Sequence, residues 1–135
     1  MTPQEFFKED HFAGRIGIEL LEVKRGYAKA RITITDGHLN AGGRTQGGVL
    51  FTLADLALAA AANSYGELAL SLSSHIHFLR TSGVGDTLCA EARERYVGRT
   101  TGCYQVDITN QRGELIAVFE SSVFRKGDAL PFTLP

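Results

Sequence analysis

The spacing of hydrophobic and polar positions changes several times along the chain, and each change marks an element. The most apolar stretch runs from Gly47 to about Ser64. It carries Val49, Leu50, Phe51, Leu53, Leu56, Leu58 and a run of alanines on nearly every side. A helix that is apolar all round is a buried helix. Before it the period is two: Ala28, Ala30, Ile32 and Ile34 alternate with Lys29, Arg31, Thr33 and Thr35. Tyr27 to Thr35 therefore reads as a strand, with Ile18 to Lys24 as its neighbour across Arg25-Gly26. After a stop at Asn63-Ser64-Tyr65-Gly66, four more strands are predicted: Leu68 to Arg80, Asp86 to Tyr96, Thr100 to Thr109 and Glu114 to Arg125. Turn residues at Val97-Gly98-Arg99 and Asn110-Gln111-Arg112-Gly113 join the last three. In the first of the four, alternation puts Ser71, Ser73, His75 and His77 on one face. Leu72, Ser74, Ile76 and Phe78 fall on the other.

At the N-terminus, Thr2-Pro3-Gln4-Glu5 offers a Thr N-cap, Pro at N1 and an acid at N3, the pattern of a capping box. This predicts one short helix with Phe6, Phe7 and Phe12 on its apolar side and His11 near its end. Gly14 and Gly17 would stop it. The tail from Pro131 to Pro135 is expected to be loosely held. One long buried helix with six strands predicts an α+β architecture, an antiparallel six-stranded sheet wrapped around a central helix. Such a layer leaves its edges and outer face exposed, and pairing with a second copy is the simplest cover, so a homodimer at least is expected. The 135 residues suit one domain over 1–135, with a core at 15–125, a helix at 1–14 and a tail at 126–135.

Composition narrows the function classes. An apolar share of 44% and a charged share of 21% are ordinary for a globular protein. The net charge of -1 gives no electrostatic footprint for nucleic acid or an anionic membrane. The first ten residues are polar and acidic rather than signal-like. Asp55 interrupts the apolar run, which is already shorter than the roughly 20 residues of a membrane span. Cys89 and Cys103 have neither metal-ligand nor disulfide-framework spacing. A cytoplasmic protein with reduced thiols is expected. His75 and His77, at i and i+2, lack a third ligand at a suggestive position, so a surface or interface role is expected and no metal site.

The candidate chemistry sits where a glycine-rich loop, Asn40-Ala-Gly-Gly-Arg-Thr-Gln46-Gly47-Gly48, enters the apolar helix. The first turn of a helix has backbone N–H groups with no internal partner, and the helix dipole is positive there. Gly47 and Gly48 let another molecule approach those amides, as an anion or a developing oxyanion requires. Asp55 is the only charge on the helix, and a buried carboxylate needs a partner, a proton or a task. It lies about two turns, roughly 12 Å, along the axis from Gly47. One chain therefore cannot easily bring both to one substrate, whereas two facing copies can. Two plainer readings stand beside this one: the glycines make only a tight packing loop, or Asp55 is a structural carboxylate held by amides or an arginine. Neither nucleotide-loop signature, G-x-G-x-x-G or Gly-Lys-Ser/Thr, is met.

At these residues the chain resembles a family. Asn40-x5-Gln46-Gly47-Gly48-x6-Asp55, with Leu53-Ala54-Asp55, resembles the signature of hotdog-fold acyl-CoA thioesterases of the phenylacetate-degradation type. His77-Phe78-Leu79-Arg80, Gly85-Asp86-Thr87-Leu88-x-Ala90-Glu91-Ala92 and Gly98-Arg99-Thr100 match further landmarks in order, over about residues 15–125. The resemblance implies that Asp55 is the catalytic carboxylate, as general base or nucleophile. It implies that the Gly47 N–H forms the oxyanion hole of the opposite subunit's site, with Asn40 placing water or thioester and Ser71 positioning the water near Asp55. Gly98, Arg99 and Thr100 would lie along the nucleotide end of CoA, where an arginine suits phosphate. Gly48, His38, Phe51, Ser73 and Arg80 are further candidates for substrate contact, with Leu56 and Phe78 shaping the pocket. The expected partners are an acyl-CoA substrate and further copies of the chain, as a dimer or a tetramer built as a dimer of dimers. No cofactor is expected, since CoA is part of the substrate.

One departure stands in the signature: the family has His before Gly-Gly, and here Gln46 replaces it. Gln can donate a hydrogen bond but cannot shuttle protons near neutral pH. That substitution favours an alternative reading, a non-catalytic acyl-CoA sensor on the same fold. A hotdog dehydratase or hydratase is the third reading, and it lacks its loop histidine.

Overall fold

A computed structural model describes residues 1–134 of the chain. Its strands are β1 (Glu19–Lys24), β2 (Tyr27–Thr33), β3 (Glu67–Phe78), β4 (Thr87–Val97), β5 (Thr101–Thr109) and β6 (Leu115–Ala129). All neighbours pair antiparallel, in the order β1-β2-β4-β5-β6-β3. The long helix, Gly47–Ala62, packs mainly on β2, β4 and β5 at the middle of this sheet. Two short helices precede the strands, so the three are α1 (Pro3–Phe7), α2 (His11–Arg15) and α3 (Gly47–Ala62). The predicted α+β plan, six strands wrapped on one helix, is the observed one.

Small residues set how closely the helix lies on the sheet. Ala28 faces Ala92 and Ala30 faces Ala90 across β2 and β4, and all four are fully buried. Ala54, Ala57, Ala60 and Ala61 of α3 are also fully buried. With methyl groups on both surfaces the two backbones can approach, and burial of apolar area follows along the contact. Larger side chains fill the flanks: Leu53, Leu58, Tyr104, Val106, Ile108, Ile116 and Phe119 are each almost wholly buried. Gly48, Thr52, Asp55 and Ala59 stay partly or fully exposed and mark the stripe of α3 that the sheet does not cover.

The C-terminal end of α3 is tied by one side chain. The Asn63 amide donates to the carbonyls of Ala59 (2.8 Å) and Ala69 (3.2 Å), and its Oδ1 accepts from the Ala69 N–H at 2.8 Å. Asn63 therefore joins the end of the helix to the start of β3.

Three expectations are corrected. The N-terminal segment is two helices, because Asp10 caps a second start by accepting from the Ala13 N–H at 3.1 Å. His11 begins that second helix rather than ending the first. Gly14 lies inside α2, and Gly17, at φ +89°, follows it. The tail is held, not loose. β6 runs on to Ala129, Phe132 is buried against Phe6 with ring centroids 5.6 Å apart, and Arg25 donates to the Leu134 carbonyl at 3.3 Å. Pro135 lies outside the described residues. The third correction concerns β3. Ser71 pairs with Val123 and Ser73 with Ser122, so Leu72 is an extra residue in the ladder. This bulge reverses the alternation. Ser71 shares the helix-facing side with Val123, Ser74 with Ser121 and Ile76 with Phe119, while Ser73, His75 and His77 face outward.

Replacing Asn63 by alanine removes the side-chain partner of the Ala69 N–H and carbonyl, while the Ala59 carbonyl keeps the backbone N–H of residue 63. The expected cost is about 2–3 kcal/mol, read as a lower denaturant midpoint at unchanged m-value. A change below about 0.5 kcal/mol would show that water replaces the side chain.

Candidate active site

The loop that feeds α3 is pinned before it reaches the helix. Asn40 Oδ1 accepts from the N–H groups of Gly42 (2.9 Å) and Arg44 (3.1 Å), and the Asn40 N–H donates to the Arg44 carbonyl at 2.7 Å. Next, the Thr45 N–H donates to the Ser82 carbonyl at 2.9 Å, and Ser82 Oγ donates to Thr45 Oγ1 at 2.7 Å. The Gln46 N–H then donates to the His38 carbonyl at 2.9 Å. Gln46 is the N-cap of α3, and its Oε1 accepts from the Gly48 N–H. This leaves the Gly47 N–H, at the first position of the helix, with no acceptor among the described residues. A Cβ on Gly47 would stand 3.0 Å from Cζ of Phe78, so the ring lies directly over the glycine. Asn40, Gly47, Leu50, Phe78 and Arg80 line a cleft of about 390 Å³ at this end of the helix.

Gln46 thus uses its oxygen for capping and keeps its amide nitrogen free as a donor. The candidate His38 is not at the pocket mouth. It is buried, Nδ1 accepts from the Thr35 N–H at 2.9 Å, and Nε2 donates to the Ile16 carbonyl at 2.6 Å. With both ring nitrogens engaged, it holds the Asp36–His38 turn against the end of α2.

Asp55 sits on the uncovered stripe of α3. Its carboxylate has no hydrogen-bond or ion-pair partner among the described residues. Burial pushes its pKa above the ordinary carboxylate value, and the negative charge of Asp10 pushes it further in the same direction. The plainer reading, a structural carboxylate satisfied by amides or an arginine, is therefore not what the structure shows. Asp10 was not singled out in the sequence. Its signal was the start of α2, Asp10-His-Phe-Ala13, which reads as an N-cap only once two helices are recognised.

The remaining candidates divide by face and by end. Ser71, brought inward by the bulge, is on the same side of the sheet as α3. Ser73 is on the outer face, its Oγ 3.2 Å from Ser122 Oγ. Phe51 packs edge-on against Phe119 at 5.0 Å between centroids, on the sheet side of the helix. Arg80 lines the Gly47 cleft and pairs with Glu114 at 3.3 Å. Gly98, Arg99 and Thr100 form the β4–β5 turn, anchored by Gly98 N–H to the Thr101 carbonyl (2.7 Å) and Arg125 N–H to the Thr100 carbonyl (2.8 Å). Thr101 and Leu70 both pair with Phe124, which places this turn near the start of β3, the end opposite Phe78 and Gly47.

The environment of Asp55 has a consequence for stability. Its folded pKa lies above its unfolded value, so the ionised form destabilises the fold. The cost is present at neutral pH and vanishes below the unfolded carboxylate value of about 3.9. Asp55→Asn is expected to raise the thermal midpoint at pH 7, with the gain shrinking as pH falls towards 4. A lower midpoint at pH 7 would mean that the carboxylate is held by a favourable partner.

Residues 42–117 match the thioesterase superfamily model. The acyl-coenzyme A thioesterase PaaI of Escherichia coli strain K12 is 37% identical over 124 residues, 92% of this chain and 89% of that protein. The solved structure of E. coli PaaI, from the phenylacetic acid degradation operon, superposes with a TM-score of 0.90 at 36% identity, covering 93% of this chain and 91% of its own. A Streptococcus mutans UA159 protein solved with acetyl CoA bound has a TM-score of 0.80 at 30% identity, covering 84% and 91%. The sheet wrapped on its helix, the loop running into Gly47 and these relatives agree: the chain belongs to the thioesterase superfamily, as a hotdog-fold thioesterase of the PaaI-like kind.

Proposed function

We propose that this protein hydrolyses acyl-CoA thioesters to the free acid and CoA, in sites shared between two copies of the chain. The observation that carries the reading is a complementary pair. The Gly47 N–H is a donor without an acceptor at the positive end of α3, and Asp55 is a carboxylate without a partner on the exposed stripe of the same helix. Eight residues separate them, about 12 Å along the axis, so one chain cannot apply both to one carbonyl. A second copy related by a two-fold axis can present its Gly47 loop to the first copy's Asp55. The unpaired edge of β3, with Leu70 and Leu72 exposed, supports a dimer, and a dimer of dimers extends the same principle.

In this reading Asp55 accepts a proton from water as the water oxygen bonds to the thioester carbon. The carbonyl oxygen becomes negative and is held by the Gly47 N–H and the α3 dipole, where charge-stabilising donors are most effective. Collapse of the tetrahedral intermediate breaks the carbon–sulfur bond and expels CoA thiolate, which takes up a proton. Ser71, inward-facing on β3, orients the water. The free amides of Asn40 and Gln46 orient the thioester, and neither needs to move a proton. Arg99, exposed and without a partner in its turn, suits the phosphates of CoA. The chemistry draws only on water and the chain's own groups. Cys89 and Cys103 are unpaired, which suits a reducing cytoplasm, and among the described residues no helix is long and apolar enough to cross a membrane.

Thiol release from acyl-CoA should fall by at least about a hundredfold in Asp55→Ala. Turnover unchanged by that variant would remove Asp55 from the mechanism, and tight acyl-CoA binding without release by the wild type would favour the sensor. Mixing Asp55→Ala chains with Gly47→Val chains tests the shared site. Random reassortment gives one intact site in half of the dimers, hence about a quarter of wild-type turnover, whereas sites within one chain give none. The pH dependence tests the carboxylate directly. Asn can cap α2 as Asp10 does, so Asp10→Asn removes a negative charge without removing the cap. It should shift the acid limb of kcat/KM to lower pH, and a limb that stays in place would show that another group titrates there.

A further inference from the structure

The face of the sheet turned away from α3 carries two imidazoles in contact. His75 and His77 of β3 are both exposed there, and their Nε2 atoms lie 3.2 Å apart. The ring centroids are 4.5 Å apart and the ring planes meet at 72°. We propose that this pair binds a divalent transition-metal ion of the zinc, nickel or copper kind. The two Nε2 atoms and the Glu120 carboxylate hold the ion, and water completes its coordination. The site lies on the opposite side of the sheet from Gly47 and Asp55 and does not depend on the hydrolysis reading.

The separation of the two nitrogens carries the proposal. Imidazole nitrogen binds zinc at about 2.0–2.1 Å, and two such bonds at a tetrahedral angle hold their nitrogens roughly 3.3 Å apart. The observed 3.2 Å already has that bite. Without metal, a proton on one ring fills the gap as N–H···N. With metal, each ring carries its proton on Nδ1 and offers the Nε2 lone pair to the ion. Side chains stand perpendicular to a sheet, so pairing of a second copy along the β3 edge leaves the rings uncovered. Glu120 is the partner of His75 across the β3–β6 ladder and is also exposed. Directly opposed residues have Cβ atoms about 4.5–5.5 Å apart, within reach of a glutamate that turns toward the rings. Among the described residues no ready-made set of three His, Cys, Asp or Glu ligands exists, so Glu120 joins by a change of rotamer. The result is an open, exchangeable site, unlike the closed four-ligand sites of structural zinc. Imidazole selects Zn²⁺, Ni²⁺ or Cu²⁺ over Mg²⁺ and Ca²⁺, which take oxygen ligands. His75 and Glu120 border a cavity of about 620 Å³ that gives an ion access. Arg95 borders it too, but from β4, three strands away from β3. Its charge therefore bears on the ion less than the adjoining Glu120 carboxylate does.

Untagged protein stripped of metal with a chelator should bind Zn²⁺ in a calorimetric titration and give no heat with Mg²⁺. In NMR spectra Zn²⁺ should move the imidazole signals of His75 and His77 and leave those of His11 and His38 in place. His75→Ala and His77→Ala should each weaken Zn²⁺ binding at least about tenfold, and Glu120→Gln should weaken it by less. All three positions are exposed, so the variants should fold, which an unchanged thermal midpoint without metal checks. Cys103, exposed and bordering the same cavity, is the competing thiol. Cys103→Ser should therefore keep the wild-type affinity. The assignment is overturned by any of three results: no imidazole shift under excess Zn²⁺, equal affinity in wild type and His75→Ala, or loss of binding in Cys103→Ser. An affinity unchanged in Glu120→Gln would strike the carboxylate from the ligand set.

Discussion

Close contact between an alanine-rich helix and an alanine-lined sheet is the constraint on which the other features depend. The methyl groups of Ala54, Ala57, Ala60 and Ala61 meet a surface that contains Ala28, Ala30, Ala90 and Ala92, all without exposure to solvent. Because neither side carries bulk at the contact, six strands can wrap a helix of sixteen residues. The wrap cannot close. One stripe of α3 stays open, and Asp55 stands on that stripe with no partner among the described residues. Burial along the rest of the helix makes the carboxylate costly, and the opening makes it reachable.

The two ends of the helix are treated differently. At Asn63 every side-chain polar atom meets a backbone group, and the helix is fastened to β3. At Gly47 the capping side chain of Gln46 takes the next amide and leaves the first one free. The loop before it is held by Asn40, Thr45 and His38, so the free N–H is fixed in direction before any ligand arrives. A donor fixed in place needs no reorganisation when charge develops on a carbonyl oxygen. The same logic accounts for Gln46. In the proposed mechanism a residue that caps and donates suffices, because proton transfer is assigned to Asp55.

The cavities on either side of α3 follow from the same open wrap. One lies at the loop beside Gly47 and the other beneath α1 and α2, and both combine apolar walls with polar and charged side chains. The N-terminal helices add little to the main sheet contact. They border a cavity with Leu56, the neighbour of Asp55 along α3.

Much of this was legible in the sequence. Period-two alternation around an unbroken apolar helix determined the layer arrangement. The run Asn40 to Asp55 marked the candidate site, because glycines at a helix start and a lone acid inside an apolar helix are costly wherever they occur. The spacing of Gly47 and Asp55 is the reason two copies were expected and a shared site is proposed. Other features belong to the tertiary structure alone. The bulge at Leu72 turned Ser71 inward and left Ser73 outside, since one extra residue in a ladder reverses every face beyond it, and strict alternation cannot register it. Both nitrogens of His38 are engaged by groups up to 22 residues away in sequence, so its role could not be read from its loop. Asp10 acquired its significance only when α2 folded against α3 and brought its charge to bear on Asp55. Local pattern specifies which elements form and which residues are anomalous; which residues then meet depends on register and packing between elements distant in the chain.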